Sequence, residues 1–183
     1  AQEGTRIWLE PNDDPRKKLK YGWRLIEQTD GHFVGVDTSV PNRIVGPAVT
    51  ARRIVGLPPY DHVRAEGKYA DKSRIDFLLS GPTDTYVEVK SVTMSRQAGL
   101  AEFPDSVTAR GAKHHDALAQ MVAQGHRAVM LYVVQRAECT PLTIAADLHP
   151  AYHAAFPAHQ APGASGRAHE LHLAAVPQPP PLA

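Results

Sequence analysis

The sequence predicts an α/β (α+β) protein in which a run of short β-strands precedes a mixed sheet with flanking helices. Three observations carry this. Short alternating segments broken by turns fill residues 5–45. Two strand-like segments, Ser73–Leu79 and Thr85–Val92, flank a tight turn. A helical stripe is then followed by the continuous apolar run Ala128–Val134, AVMLYVV.

From Thr5 to Val45 the segments TRIWLE, WRLIEQ and FVGVDT are separated by the polar stretch PNDDPRKK and by TDGH, whose Asp30-Gly31 suits a hairpin turn. Three strands do not close a barrel, so this region reads as part of a small barrel, cut short at Ala1. From Pro41 to Pro58 the pattern predicts a short helix bounded by prolines. SRIDFLL, the turn SGPTD and TYVEVKSV then read as an antiparallel hairpin, and MSRQAGLAEFPD as a loop. In the following segment Val107, Leu118, Met121 and Val122 form a helical stripe, with Gly125 at the stop position. RAVMLYVVQR suits a strand buried on both faces of a sheet. Beyond Thr140 the chain turns to Ala, His and Pro and ends in VPQPPPLA, a composition expected of a weakly ordered tail. The predicted divisions are 1–45, 46–150 and 151–183.

The 183 residues are 43% hydrophobic and 21% charged, the range of an ordinary globular chain. The longest apolar run is far shorter than the ~20 residues of a membrane-spanning helix, and AQEGTRIWLE lacks a signal-peptide layout. A cytoplasmic protein without a membrane partner is expected. The single cysteine, Cys139, excludes an internal disulfide and a thiolate zinc cage. The ten histidines are scattered, and HELH at His169–His172 lacks the H-E-x-x-H spacing, so zinc catalysis is set aside. With a net charge of only +1, nucleic-acid binding must rest on local patches. Arg16, Lys17, Lys18 and Lys20 form one, Arg52 and Arg53 another, and Arg64, Lys68, Lys72 and Arg74 lead into the hairpin. A solvated basic face accounts for each cluster about as well as phosphate contact does.

The chemistry sits in the hairpin. Side chains alternate along a strand, so Glu88 and Lys90 share one face with Tyr86 while Val87 and Val89 anchor the other. The preceding strand places Asp76 among apolar neighbours, where a carboxylate needs a cation or hydrogen-bond donors. Hydrolysis of a phosphodiester needs an activated water and positive charge on the phosphate. Asp76, Glu88 and the carbonyl of Val89 would hold Mg²⁺ or Mn²⁺, and Lys90 would orient the water and stabilise developing charge. An acid on one strand and E-V-K on the next is the arrangement of the PD-(D/E)xK nucleases. A cross-strand ion pair on an exposed face accounts for the same residues without catalysis.

KLKYGWRLIE, GVDTSVPNRIV, SRIDFLL, YVEVKSVT, GLAEFPDSVTARGAKHHDAL and QGHRAVMLYVVQR, in this order, resemble the SfsA (sugar fermentation stimulation protein A) family over Gly4 to Pro150. The resemblance implies a partial OB-like β-barrel followed by a PD-(D/E)xK nuclease-like mixed sheet. It also implies DNA binding linked to maltose-gene expression and a DNA/RNA nuclease activity, with the family's acid on Asp76 and its Glu-x-Lys on Glu88 and Lys90. The family's opening basic stretch and Asn-Thr-Gly motif are not matched, and the chain after Pro150 matches poorly, Pro157 interrupting it.

Arg110, Lys113 and His114 lie at i, i+3 and i+4 of the helical segment and share a face that could meet a phosphate backbone, with Arg74 nearer the hairpin. The alternative is a solvated face opposite the apolar stripe. Gln135 follows a central strand and is a weaker site candidate, as are Ser91 and Thr93. Glu66, upstream of the hairpin, could be a further active-site acid, but a surface glutamate beside Gly67 and Lys68 is the commoner reading. The expected partner is DNA, with RNA as a second option, and a homodimer is compatible with the sequence. Three readings stay open: a metal-dependent nuclease, a non-cleaving transcriptional regulator, and a structural ion-pair network.

Overall fold

The computed structural model describes residues 3–70, 73–107, 117–155 and 172–173. Three sheets and a few short helices make a mixed α+β fold, as expected, and no closed barrel is present among the described residues. The first sheet has the order β1 (Ile7–Pro11), β2 (Tyr21–Glu27), β3 (Phe33–Gly35), all antiparallel. The TDGH turn forms where predicted, with Gly31 at φ +84, a conformation that favours glycine.

Helix α1 (Val40–Thr50) carries Pro41 in its first turn, where a missing N–H costs nothing, and Pro47 near its end. The central sheet is built from β4 (His62–Ala70), β5 (Ser73–Ser80), β6 (Thr85–Val92) and β9 (Arg127–Val134), with β11 (His172–Leu173) on its edge. Its order is β11-β9-β6-β5-β4; β4, β5 and β6 run antiparallel, and β9 pairs with β6 in parallel. Sequence reasoning anticipates β5, β6 and β9 but not β4, whose residues HVRAEGKYA are largely polar.

The expectation that β9 is buried on both faces holds, and each face has its own core. Val129, Leu131 and Val133 join Phe77, Leu79, Val87 and Val89 beneath α1, through Val45 and Val49. Ala128, Met130 and Tyr132 join Leu78 and Tyr86 on the other face, under Leu118 and Met121 of the helix at 117–123, here α2. Each such side chain contributes about 1.5–3 kcal/mol on burial, which makes β6 and β9 the rigid base of the molecule. Gly125, at φ +92, ends α2 as its position predicts.

MSRQAGLAEFPD is a correction to the expected loop. It forms a hairpin, β7 (Met94–Gln97) and β8 (Leu100–Phe103), extended by β10 (Leu142–Ile144) in parallel with β8. Buried Glu102 accepts hydrogen bonds from both the backbone N–H and the guanidinium of Arg96, and that guanidinium also binds Asp147. This ties the hairpin to the turn before α3 (Pro150–Ala155), a helix that runs into the segment assigned by sequence to the tail. The first sheet meets the central one where Gly35 N–H donates to the carbonyl of Gln135. Arg24 spans the same seam, bonding Glu10 on β1 and Asp37 just before α1.

Candidate metal and phosphate site

The β5–β6 hairpin opens in the middle. Leu79 pairs with Thr85, Leu78 with Tyr86 and Phe77 with Val87, and the register goes no further. At the next step the carboxylate of Asp76 replaces the backbone of β5: its Oδ2 accepts the Val89 N–H at 2.7 Å. Its Oδ1 accepts from the Asn42 side chain of α1, also at 2.7 Å. The acid in the apolar strand thus has the donors that its burial demands.

Glu88 and Lys90 share a face, as the alternation predicts, with Nζ 2.8 Å from Oε1. The Glu88 side chain is 6% exposed and that of Lys90 18%, so this is not a pair on an open surface. Burial and, next, the nearby Glu88 carboxylate hold the Asp76 carboxyl above its ordinary value; the Val89 and Asn42 donors and Lys90 offset part of this. An Asp76 carboxylate this close to that of Glu88 forms a site that a small hard cation would relieve. Among the described residues no three His, Cys, Asp or Glu side chains gather as a metal cage. Asp76, Glu88 and the Val89 carbonyl are the oxygens of this cavity that could hold a cation. That suits an ion such as Mg²⁺, which keeps several waters and takes oxygens from substrate.

These groups line a cavity of about 550 Å³. Arg74 and Glu66 stand on its rim, 3.5 Å apart and both well exposed. Glu66 has φ 52, uncommon for a residue with a side chain. Ser91 also lines the cavity, whereas Gln135 does not: its Nε2 donates to Ser91 Oγ at 2.7 Å, so it buttresses the wall from behind. Arg110, Lys113 and His114 lie outside the described residues.

Sequence reasoning missed Asn42, His149 and Tyr152, all of which line the cavity. Asn42 carries no local signal of its role. His149 and Tyr152 belong to a stretch whose composition suggested no site. The Tyr152 hydroxyl is 2.7 Å from that of Tyr132, and burial raises the Tyr152 phenol to about 12. Both phenols therefore stay neutral in this wall.

Comparison with known proteins agrees with the architecture. The family model described as the sugar fermentation stimulation protein RE domain matches residues 39–175. A sugar fermentation stimulation protein homolog of Ruegeria pomeroyi is 62% identical over 165 residues, which is 89% of this chain and 72% of that protein. Its counterpart in Roseobacter denitrificans is 64% identical over 158 residues, 85% of this chain and 67% of the relative. The solved structure of Pyrococcus furiosus SfsA in complex with Ca²⁺ superposes with a TM-score of 0.71 at 19% identity, covering 82% of this chain and 63% of the other. The family match, the identities and the shared fold converge, and the chain belongs to the sugar fermentation stimulation protein family.

Proposed function

We propose that this chain is a nucleic-acid-binding protein with a divalent-metal-dependent phosphodiesterase centre of PD-(D/E)xK type, cutting DNA or RNA with Mg²⁺ or Mn²⁺. The observation that carries the reading is the opened hairpin: a desolvated Asp76 fixed by Val89 N–H lies near Glu88, which is bonded to Lys90, in one cavity. That the Pyrococcus furiosus relative was solved in complex with Ca²⁺ supports binding of a divalent cation.

Asp76, Glu88 and the Val89 carbonyl would hold the cation, which supplies positive charge at the phosphate and acidifies the attacking water. Asn42 and Val89 N–H fix the Asp76 carboxylate, so its orientation is set before any ligand enters. Lys90 Nζ, anchored by Glu88, would orient the water and donate to a phosphate oxygen as charge builds there. Arg74 on the rim would meet the flanking backbone, and Arg110, Lys113 and His114 would extend that contact.

The test is incubation of labelled single- and double-stranded DNA and RNA with Mg²⁺, Mn²⁺ or chelator, beside the Glu88→Ala and Lys90→Ala variants. Metal-dependent cleavage that both substitutions abolish is expected. Cleavage at parental rates in the variants refutes the assignment. One feature favours a second reading, a non-cleaving DNA-binding regulator of sugar (maltose) metabolism genes: Lys90 is engaged by Glu88 and both Asp76 oxygens are engaged by donors. That reading predicts salt-sensitive DNA binding and no product with any metal.

A further inference from the structure

We infer that the cavity takes an unpaired nucleotide whose base stacks on Phe103, so that the substrate class is single-stranded nucleic acid. The inference rests on the nucleic-acid reading above and deepens it.

Phe103 ends β8 and lines the cavity together with Pro104. Its place beside the charged pair follows from the sheet. β6 and β9 run in parallel with Lys90 level with Tyr132 and Glu88 level with Met130, and level residues of neighbouring strands share a face. Tyr132 therefore adjoins Lys90, and the Phe103 ring stands nearly perpendicular to the Tyr132 ring, with centroids 5.2 Å apart. Tyr152 braces Phe103 in the same manner at 5.4 Å. Burial, foremost, and then the Glu88 charge raise the Tyr152 phenol, so this ring too stands near the pair. The three rings differ in one respect. Tyr132 is 1% and Tyr152 4% exposed, whereas Phe103 is only partly buried. Phe103 is thus the ring of this cluster that presents apolar surface to a ligand, and its two neighbours hold it in place.

The cavity sets two demands on its occupant. Lys90, Arg74 and a cation on Asp76 and Glu88 call for negative charge, and Phe103 with Pro104 calls for a flat apolar face. A nucleotide supplies both, its phosphate to the cations and its base to the ring. The volume of about 550 Å³ falls within the ~300–1,000 Å³ of sites that enclose one small ligand. Base–aromatic stacking tolerates any sequence, because every base has a π-face, but it needs that face to be free. In a duplex each base is paired and stacked on its neighbours, and extracting one sacrifices interactions that a single strand lacks.

Binding measured by fluorescence anisotropy with Ca²⁺ compares three labelled ligands: an oligothymidylate, an abasic tetrahydrofuran strand of the same length and charge, and a duplex of the oligothymidylate with its complement. The parent, Phe103→Leu and Phe103→Tyr are each tested beside a thermal melt. The parent is expected to bind the oligothymidylate about 5- to 150-fold more tightly than the abasic strand, the span of one base–aromatic stack, and more tightly than the duplex. Phe103→Leu keeps an apolar side chain but loses the ring, so its affinity for the oligothymidylate should fall toward that for the abasic strand, which it binds like the parent. Phe103→Tyr keeps the ring and the preference. An iodouracil-substituted strand cross-linked to the parent by ultraviolet light should attach at Phe103, a result that does not depend on how any variant folds. Equal parental affinity for the base-bearing and abasic strands, tighter binding of the duplex, equal losses on both strands in Phe103→Leu, or cross-links that bypass Phe103 overturn the inference. Metal-dependent cleavage of the duplex that Glu88→Ala abolishes keeps the site reading intact in that event. A parent that binds none of the three ligands overturns both.

Discussion

Replacing Lys90 by Met removes an ammonium and keeps most of its stem, so the substitution isolates charge from packing. The pair is closed in, with the Glu88 side chain 6% exposed and Lys90 18%, and the contact is 2.8 Å. Removing one partner of a buried pair costs about 3–5 kcal/mol because the other charge stays desolvated. The residual exposure of Lys90 places this case at the lower end, about 3 kcal/mol. For a chain of this size each kcal/mol moves Tm by about 2–4 °C, so Lys90→Met should melt about 6–12 °C below the parent. Circular-dichroism melts in EDTA measure this without a bound cation. Glu88→Gln in the Lys90→Met background removes the stranded charge and should restore Tm to within a few degrees, the non-additivity expected of two groups in contact. A parental Tm for Lys90→Met, or a double variant whose loss equals the sum of the single losses, refutes the claim that the two charges support each other in a closed site.

The raised Asp76 carboxyl gives a pH signature. In the cation-free protein its contribution to stability is full below the unfolded-chain value and is lost as pH rises through the raised folded value, whereas a bound cation favours the ionised form. The rise in Tm on adding Mn²⁺ should therefore grow with pH above the ordinary carboxylate range, reach about 5–10 °C at 100 times Kd, and vanish in Asp76→Asn. Asn42→Ala removes a donor from ionised Asp76 and should push its carboxyl further up, so that Mn²⁺ stabilisation sets in at higher pH than in the parent. At Gly35 an added Cβ would lie 2.7 Å from Gln135 Oε1 and 3.1 Å from its Cβ, so Gly35→Ala should cost about 1–3 kcal/mol in urea unfolding, recovered in part by Gln135→Ala. The Arg96 guanidinium lowers Asp147 to about 2. Its contribution is present above the unfolded carboxylate value and lost as pH falls through about 2, so Asp147→Asn should flatten the acid limb of stability against pH.

Some of this molecule was legible because it is local. Alternation along Thr85–Val92 put Glu88 and Lys90 on one face, and the apolar run of β9 announced a strand buried on both sides; both follow from a period set by the backbone itself. The turn at Gly31 and the stop at Gly125 were readable for the same reason, since a left-handed residue favours glycine wherever it occurs. β4 and the β7–β8 hairpin were not legible, because β4 is largely polar and the four-residue strands β7 and β8 are too short to show a period, so they are specified by their neighbours in a sheet rather than by their own pattern.

By itself, then, the sequence determined the α+β class, the hairpin with its acid and Glu-x-Lys, and the family. Only the tertiary structure decided that the hairpin opens at Asp76, that Asn42, 34 residues away in sequence, holds that carboxylate, and that His149 and Tyr152 close the cavity from a segment whose composition promised nothing. The physical reason is separation along the chain: an alternating pattern fixes which face a side chain takes, but which distant groups stand across from it depends on how sheets and helices pack.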